Sequence, residues 1–218
     1  MRNIEAQSLN LGSFPALAGI SALPLFWLLS NVAATLHPGY NILRQTVSEL
    51  ALGPYGWIQT ADFFVVGVLV IVFSSGLYYG VQRRCGFRAG IGILVFVGLG
   101  TFLLGFFPTE PGVTPTLVTL SPHLVITGAV FSLFPLAFLL LAPSLKADPF
   151  WSSLFVYTVV AGALGLGLFV GIARLPSDWE FFGIYERMLL ANGLIWMEII
   201  GIRLLRFHQK CGGKTNCR

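Results

Sequence analysis

The sequence predicts an all-α protein, a polytopic transmembrane helix bundle with six spans and a short interfacial helix in the first outer loop. Three observations carry that prediction. Only 10% of the 218 residues are charged, whereas a soluble domain carries roughly a quarter. The mean hydropathy is +0.81. The apolar residues also gather into six runs, each close to the ~20 residues a helix needs to cross hydrocarbon while satisfying its own backbone. The apolar-polar alternation of a barrel strand is absent from runs such as Phe63 to Phe73, so helices are expected.

The first span falls at roughly 13–35. Its apolar run, followed by Ala33, Ala34 and Thr35, could pass for a secretory signal. A signal, however, sets a short apolar region behind a basic amino end; here the run is longer and Glu5 offsets Arg2, so an uncleaved helix is expected. The remaining spans fall at roughly 60–82, 89–107, 123–144, 152–173 and 185–206, with 207–218 as a polar cytoplasmic tail. The whole chain, 1–218, reads as one integral membrane domain. Asp62 opens the second span, where the amino-terminal dipole favours an acid; the alternative is pairing with a basic group of the outer loops. Gly76 with Gly80, and Gly167 with Gly171, have the spacing that lets helices approach closely, and Gly162 and Gly165 extend the small surface of the fifth span.

Basic residues near span ends stay on the cytoplasmic side. Arg2, Arg83, Arg84, Arg88, Lys146, Arg203, Arg206, Lys210, Lys214 and Arg218 fall at one face, and only Arg44, Arg174 and Arg187 at the other. The expectation is a multi-pass protein of the cell membrane with both termini cytoplasmic. Trp57 and Trp179 then sit at the outer interface and Trp151 at the inner one, as amphipathic rings do. The net charge of +4 is read as anchoring to membrane lipids, the expected partners. The basic tail is short, adjoins a span and lacks interleaved aromatics, so no nucleic-acid partner is expected. Cys85, Cys211 and Cys217 lie on the cytoplasmic side, where thiols stay reduced, and the last two lack the spacing of a zinc or redox pair. The chain contains no glycine-rich phosphate loop, paired-histidine zinc motif or serine nucleophile elbow, so neither a metal nor another cofactor is expected.

The outer connections hold the unusual polar residues. On a helical wheel Asn41, Arg44, Gln45 and Ser48 share one face, and Leu43, Val47 and Leu50 the opposite one. Such a helix is either a surface anchor or a polar stripe turned over the bundle mouth, with Arg44 offering its fork of donors to a carboxylate or phosphate. Gly53, Pro54 and Gly56 end it. In the second connection the prolines of Phe107-Pro108-Thr109-Glu110-Pro111 present Glu110 on a stiff turn, and His123 follows Pro122 at the start of the fourth span. Glu186 and Arg187 open the sixth span, with Asn192 and Glu198 deeper in it. The candidate ligand-binding set is therefore Arg44, Ser48, Glu49, Glu110, His123, Glu186 and Arg187, all at one membrane depth. Polar groups near hydrocarbon are costly unless paired, so such a set marks either a site or a locked network.

Asn41-x-x-Arg44-x-x-x-Ser48-Glu49-Leu50, then Phe107-Pro108-Thr109-Glu110, then His123, and finally Glu186-Arg187 ahead of Trp196 resemble the pattern of an uncharacterised bacterial and archaeal membrane family, domain of unknown function 998. The similarity runs over all six spans. That family more typically has Asp where Glu110 stands, and often Gln in place of Glu186. The resemblance implies a six-helix integral membrane protein and no particular activity.

Three functional readings follow. In the first, the outward pocket binds or transports an anionic lipid or small metabolite, held by Arg44, Arg187 and His123. The second is an accessory or structural subunit meeting other membrane proteins in a larger complex. In the third, a membrane-embedded hydrolase or transferase uses His123 or Glu110 as general base and the arginines to stabilise developing negative charge. Ser48 could be invoked as its nucleophile, but nothing in the sequence places it within reach of His123. No residue is assigned as catalytic, and the first reading ranks highest.

Overall fold

The computed structural model describes residues 13–109 and 121–210. These residues form six α-helices and no strand: α1 (Phe14–Leu36), α2 (Trp57–Gly80), α3 (Phe87–Leu104), α4 (Pro122–Ala147), α5 (Phe155–Ile172) and α6 (Phe182–Lys210). All six are long and apolar enough to cross a membrane, α5 together with the 3₁₀ turn Ser152–Leu154 that leads into it. The protein is a multi-pass helical membrane protein. Glu110 lies outside the described residues, as do Cys211 and Cys217.

Helix ends follow local chemistry. Ser121 caps α4, its Oγ accepting from the Leu124 N–H at 3.4 Å, and Pro122 occupies the first turn, where a missing donor costs nothing. The sixth helix runs past the expected end to Lys210, because His208 and Lys210 in its last turn complement the negative end of the helix dipole. Residues 207–210 are thus helix and not tail.

Each helix packs on the next in chain order, and α6 packs back on α1. This closes a ring around an interior into which α6 leans, touching α2 and α4 as well. Phe73, Phe138, Trp196, Met197 and Ile200 are fully buried there. The Trp196 ring stacks on Phe138 with centroids 3.9 Å apart, and its Nε1 donates to Thr158 Oγ1 at 3.1 Å, tying α5 to α6. The fifth helix turns Val156, Val160 and Leu164 outward, an exposed apolar stripe suited to lipid.

Two ends of the bundle are distinct. The basic end gathers Arg83, Arg84, Arg88, Lys146, Arg203, Arg206 and Lys210; the opposite, cap end carries the 37–56 connection. Trp151, expected at the headgroups of the basic end, is instead fully buried, because its Nε1 donates at 3.0 Å to the carbonyl of Gly80. That carbonyl ends α2 and has no partner within its own helix. Trp57 and Trp179 are exposed, as their positions suggested.

The expected interfacial helix is shorter than the wheel implied. A turn over 41–45 leads into a 3₁₀ turn at Ser48–Leu52. The two faces therefore do not separate: Ser48 is buried beside Val47 and Leu50, whereas Leu43 is exposed.

Glycines set the closest crossings. A Cβ on Gly67 of α2 would lie 2.7 Å from the carbonyl oxygen of Gly98 on α3, and one on Gly201 of α6 would lie 3.0 Å from the carbonyl of Ala16 on α1. Gly76 and Gly80 face Pro15 and Leu204 as close-packing residues do, and Gly162, Gly165 and Gly171 also meet neighbours. Gly167 does not: its Cβ direction is open. Gly67→Ala is expected to lower stability by about 1–3 kcal/mol through overpacking against backbone. Gly167→Ala should be neutral or raise stability by up to about 1 kcal/mol through helix propensity. Thermal unfolding in detergent micelles checks both.

Candidate functional site

The cap end is built on Arg187, in the second turn of α6 and nearly buried. Its Nη1 directs protons at three carbonyl oxygens, Ile42 at 3.0 Å, Gln45 at 3.0 Å and Gly183 at 2.9 Å. Its Nη2 donates to the Tyr40 hydroxyl at 2.5 Å. That hydroxyl donates in turn to the Thr46 carbonyl at 2.7 Å. One residue earlier, Glu186 accepts the backbone N–H of Val47 at 2.7 Å, and Ile184 N–H donates to Leu43 O at 3.2 Å. The start of α6 thus grips residues 40–47 mostly by their backbone. Burial pushes the Tyr40 phenol up from 10.0 to about 12, against the pull of the Arg187 guanidinium. A raised folded-state value means its contribution to stability is complete below pH 10 and is lost as pH rises through about 12.

Glu49 folds the next turn. Thr46 N–H and Thr46 Oγ1 both donate to Glu49 Oε1 at 3.1 Å, while Glu49 N–H donates to Thr46 Oγ1 at 3.3 Å. This reciprocal Thr-x-x-Glu pair is a capping box. Its second oxygen accepts from Gln45 Nε2 at 2.9 Å. Arg44 points away: its Nη2 meets Glu180 Oε1 at 2.6 Å in the sole ion pair among the described residues, with both side chains more than half exposed. His123 is buried elsewhere at the cap end, its Nδ1 bonded to the Phe107 carbonyl at 2.7 Å. Ser48 and His123 share no hydrogen bond.

Of the candidate set, then, Glu49, Glu186 and Arg187 meet in one cap network with Ser48 beside them, while Arg44 and His123 take separate partners. Sequence reasoning missed Tyr40, which the Arg187 bond makes central. Nothing short-range marks it, although the Thr46-x-x-Glu49 spacing was readable.

Beneath the cap lies a cavity of about 70 Å³. Every helix except α5 lines it, with Phe26, Val66, Val97, Val130 and Leu190 typical of the walls, and Ser48 and Glu186 at the cap. From Glu186 to Leu194, both in the lining, α6 rises roughly 12 Å. Two wall groups have unused polarity. Thr127 Oγ1 is buried with no hydrogen-bond partner among the described residues, whereas Thr101 bonds back to the Val97 carbonyl at 2.9 Å. Glu186 uses one oxygen on Val47, and its other has no described partner.

A second buried polar group stands between α1 and α2. Ser30, Gln59 and Asp62 are all buried, and Asp62 Oδ1 has no partner among the described residues. Asp62 was expected to cap α2. The helix instead begins at Trp57, which puts Asp62 in the second turn, facing α1.

Six spans, a fastened cap and an interior cavity define a class, the multi-pass helical membrane proteins with an enclosed internal space. More particularly, the chain belongs to the family described as Protein of unknown function (DUF998), whose model matches residues 20–203. No curated protein and no solved structure matches it.

The two arginines should respond oppositely to removal. Arg187→Met leaves a buried hydroxyl and three carbonyls without their donor and is expected to cost about 2–4 kcal/mol. Arg44→Ala should cost less than about 1 kcal/mol, as exposed ion pairs do. Thermal melts of the two purified variants decide.

Proposed function

We propose that this protein binds a lipid-like molecule in the cavity beneath the cap, a chain segment lying along α6 and a hydrogen-bond donor meeting Glu186 and Ser48. The carrying observation is the cavity's make-up, apolar over nearly all its length with a buried carboxyl at one end. Ligand sites are commonly of this kind, mostly apolar with a few placed polar groups. The space of about 70 Å³ is under half the ~150 Å³ cavity that takes up benzene, so it suits only a narrow segment of a few carbons of an acyl or prenyl chain entering between helices. Thr127 supplies a further hydroxyl in the wall, without a partner among the described residues.

This reading modifies the anionic ligand considered from sequence. The Arg187 donors are occupied by carbonyls and Tyr40, and Arg44 is paired in the open. An anion in the cavity would also face Glu186. A hydroxyl, amide or ammonium suits that end better. Placement in the cell membrane with both termini cytoplasmic belongs to the same proposal, and the clustering of basic residues at one end of the bundle supports it.

Native mass spectrometry of the chain extracted from its own membranes tests the reading. Wild-type protein should carry an amphiphile, and Val130→Trp, which fills the cavity, should lose it. Glu186→Gln should weaken retention about tenfold, or 1.4 kcal/mol, and Arg44→Ala should leave it intact. A bare wild-type chain, or an adduct that survives Val130→Trp, defeats the proposal.

A further inference from the structure

Asp62 is fully buried in the second turn of α2, about 7.5 Å along the helix from its start. Ser30 Oγ lies 3.1 Å from Asp62 Oδ2 and 3.1 Å from Gln59 Oε1, and Gln59 Nε2 donates to the same Oδ2 at 3.2 Å. Gln59 thus aims a donor at one carboxyl oxygen, where the single Ser30 proton is shared with Gln59 Oε1, and the other oxygen is buried and unpartnered among the described residues.

Among the described residues, no compensating positive charge faces this acid from the elements around it. The first helix, which supplies Ser30, has no ionisable side chain from Phe14 to Leu36; His37 follows at its end, its Nδ1 3.2 Å from the Pro38 carbonyl. In α3 the one charged residue is Arg88, at the basic end. Glu49 of the 3₁₀ turn is held by Gln45 and Thr46. On α6 the nearby ionisable groups are Glu186 and Arg187, both bound into the cap with Tyr40. An isolated carboxylate in such a setting is strongly disfavoured and must be neutralised.

We propose that Asp62, with Ser30 and Gln59, is a proton-binding site: the open Oδ1 takes one proton from water to become a neutral carboxylic acid, and packing of α1 on α2 depends on that proton. A metal ion would require several oxygens turned toward one point. Here the Gln59 amide spends a donor on Oδ2 and the Ser30 hydroxyl lies between Oδ2 and Gln59 Oε1, so that among the described residues only Oδ1 remains open, room for a proton and not for a coordination shell. Release returns the proton to water as the carboxylate forms, and the α1–α2 contact must then loosen to hydrate it. This site is independent of the cavity ligand.

Infrared spectroscopy of the full chain in lipid nanodiscs, with carbon-13 in its aspartate carboxyls, tests the proposal. The sequence has three aspartates, Asp62, Asp148 and Asp178, and of these Asp62 alone is buried. A protonated-carboxyl band that shifts on labelling, persists at neutral pH and is unchanged by sodium or potassium is the expected result. Asp62→Asn should abolish it completely. Absence of any label-shifted protonated band at neutral pH overturns the proposal, and so does a band that sodium removes, since that reveals a metal-ion site. The wild-type measurement decides even if the variant does not fold.

Discussion

The guanidinium of Arg187 is the contact on which the cap end depends. The 37–56 connection has no long helix of its own, and its apolar anchors across the mouth of the ring are Val47 and Leu50, with Tyr40 packed beside them. Its carbonyls at Ile42 and Gln45 would need other partners if α6 did not supply donors. One planar cation meets these with a single nitrogen and keeps Tyr40 in place with a second. Glu186 beside it takes a backbone donor from the same segment. Adjacent residues of opposite charge thus bind the two polarities of one stretch of backbone, which settles where Ser48, Val47 and Leu50 are pressed inward. The floor of that cap is the roof of the cavity.

The ring explains why there is a cavity at all. Helices that pack in chain order and close α6 on α1 leave an interior that side chains must fill, and α6 leans in to fill most of it with Trp196, Met197 and Ile200. Toward the cap the filling is incomplete. Gly193 is buried in this wall, and a Cβ there would lie 2.6 Å from the Phe134 ring, so the small residue lets that ring close against α6.

The six spans were legible because hydrocarbon imposes one requirement on every backbone group, and only long apolar runs meet it. Ends were less legible, since the sixth helix continues through Phe207 and His208 on dipole complementarity rather than apolarity. Trp151 illustrates another limit: a ring placed at the headgroups by its position in the chain is taken inward by a carbonyl 71 residues away. Glycine spacing misled in the same way at Gly167, for a four-residue interval says that two positions share a face and not that a neighbour lies against it. At the site, polarity at the cap-end loops was visible, and the structure brings Glu186 and Arg187 together with the segment that Glu49 folds. Saturation was not visible, because the partners of Arg187 are mostly carbonyls, which every residue has. Asp62 could be noticed as an acid near a span start, yet its meeting with Ser30 spans 32 residues and exists only once α1 and α2 pack.

A lock made from main-chain acceptors has an evolutionary corollary. The side chains of Ile42 and Gln45 can drift while their carbonyls continue to serve, so members of this family can diverge across the connection without loosening it. Position 183 has no such latitude, because a Cβ there would lie 2.3 Å from the Gln45 carbonyl oxygen. Selection on this end of the molecule should therefore register at a glycine and an arginine one helical turn apart, with the loop they hold free to vary in all but its path.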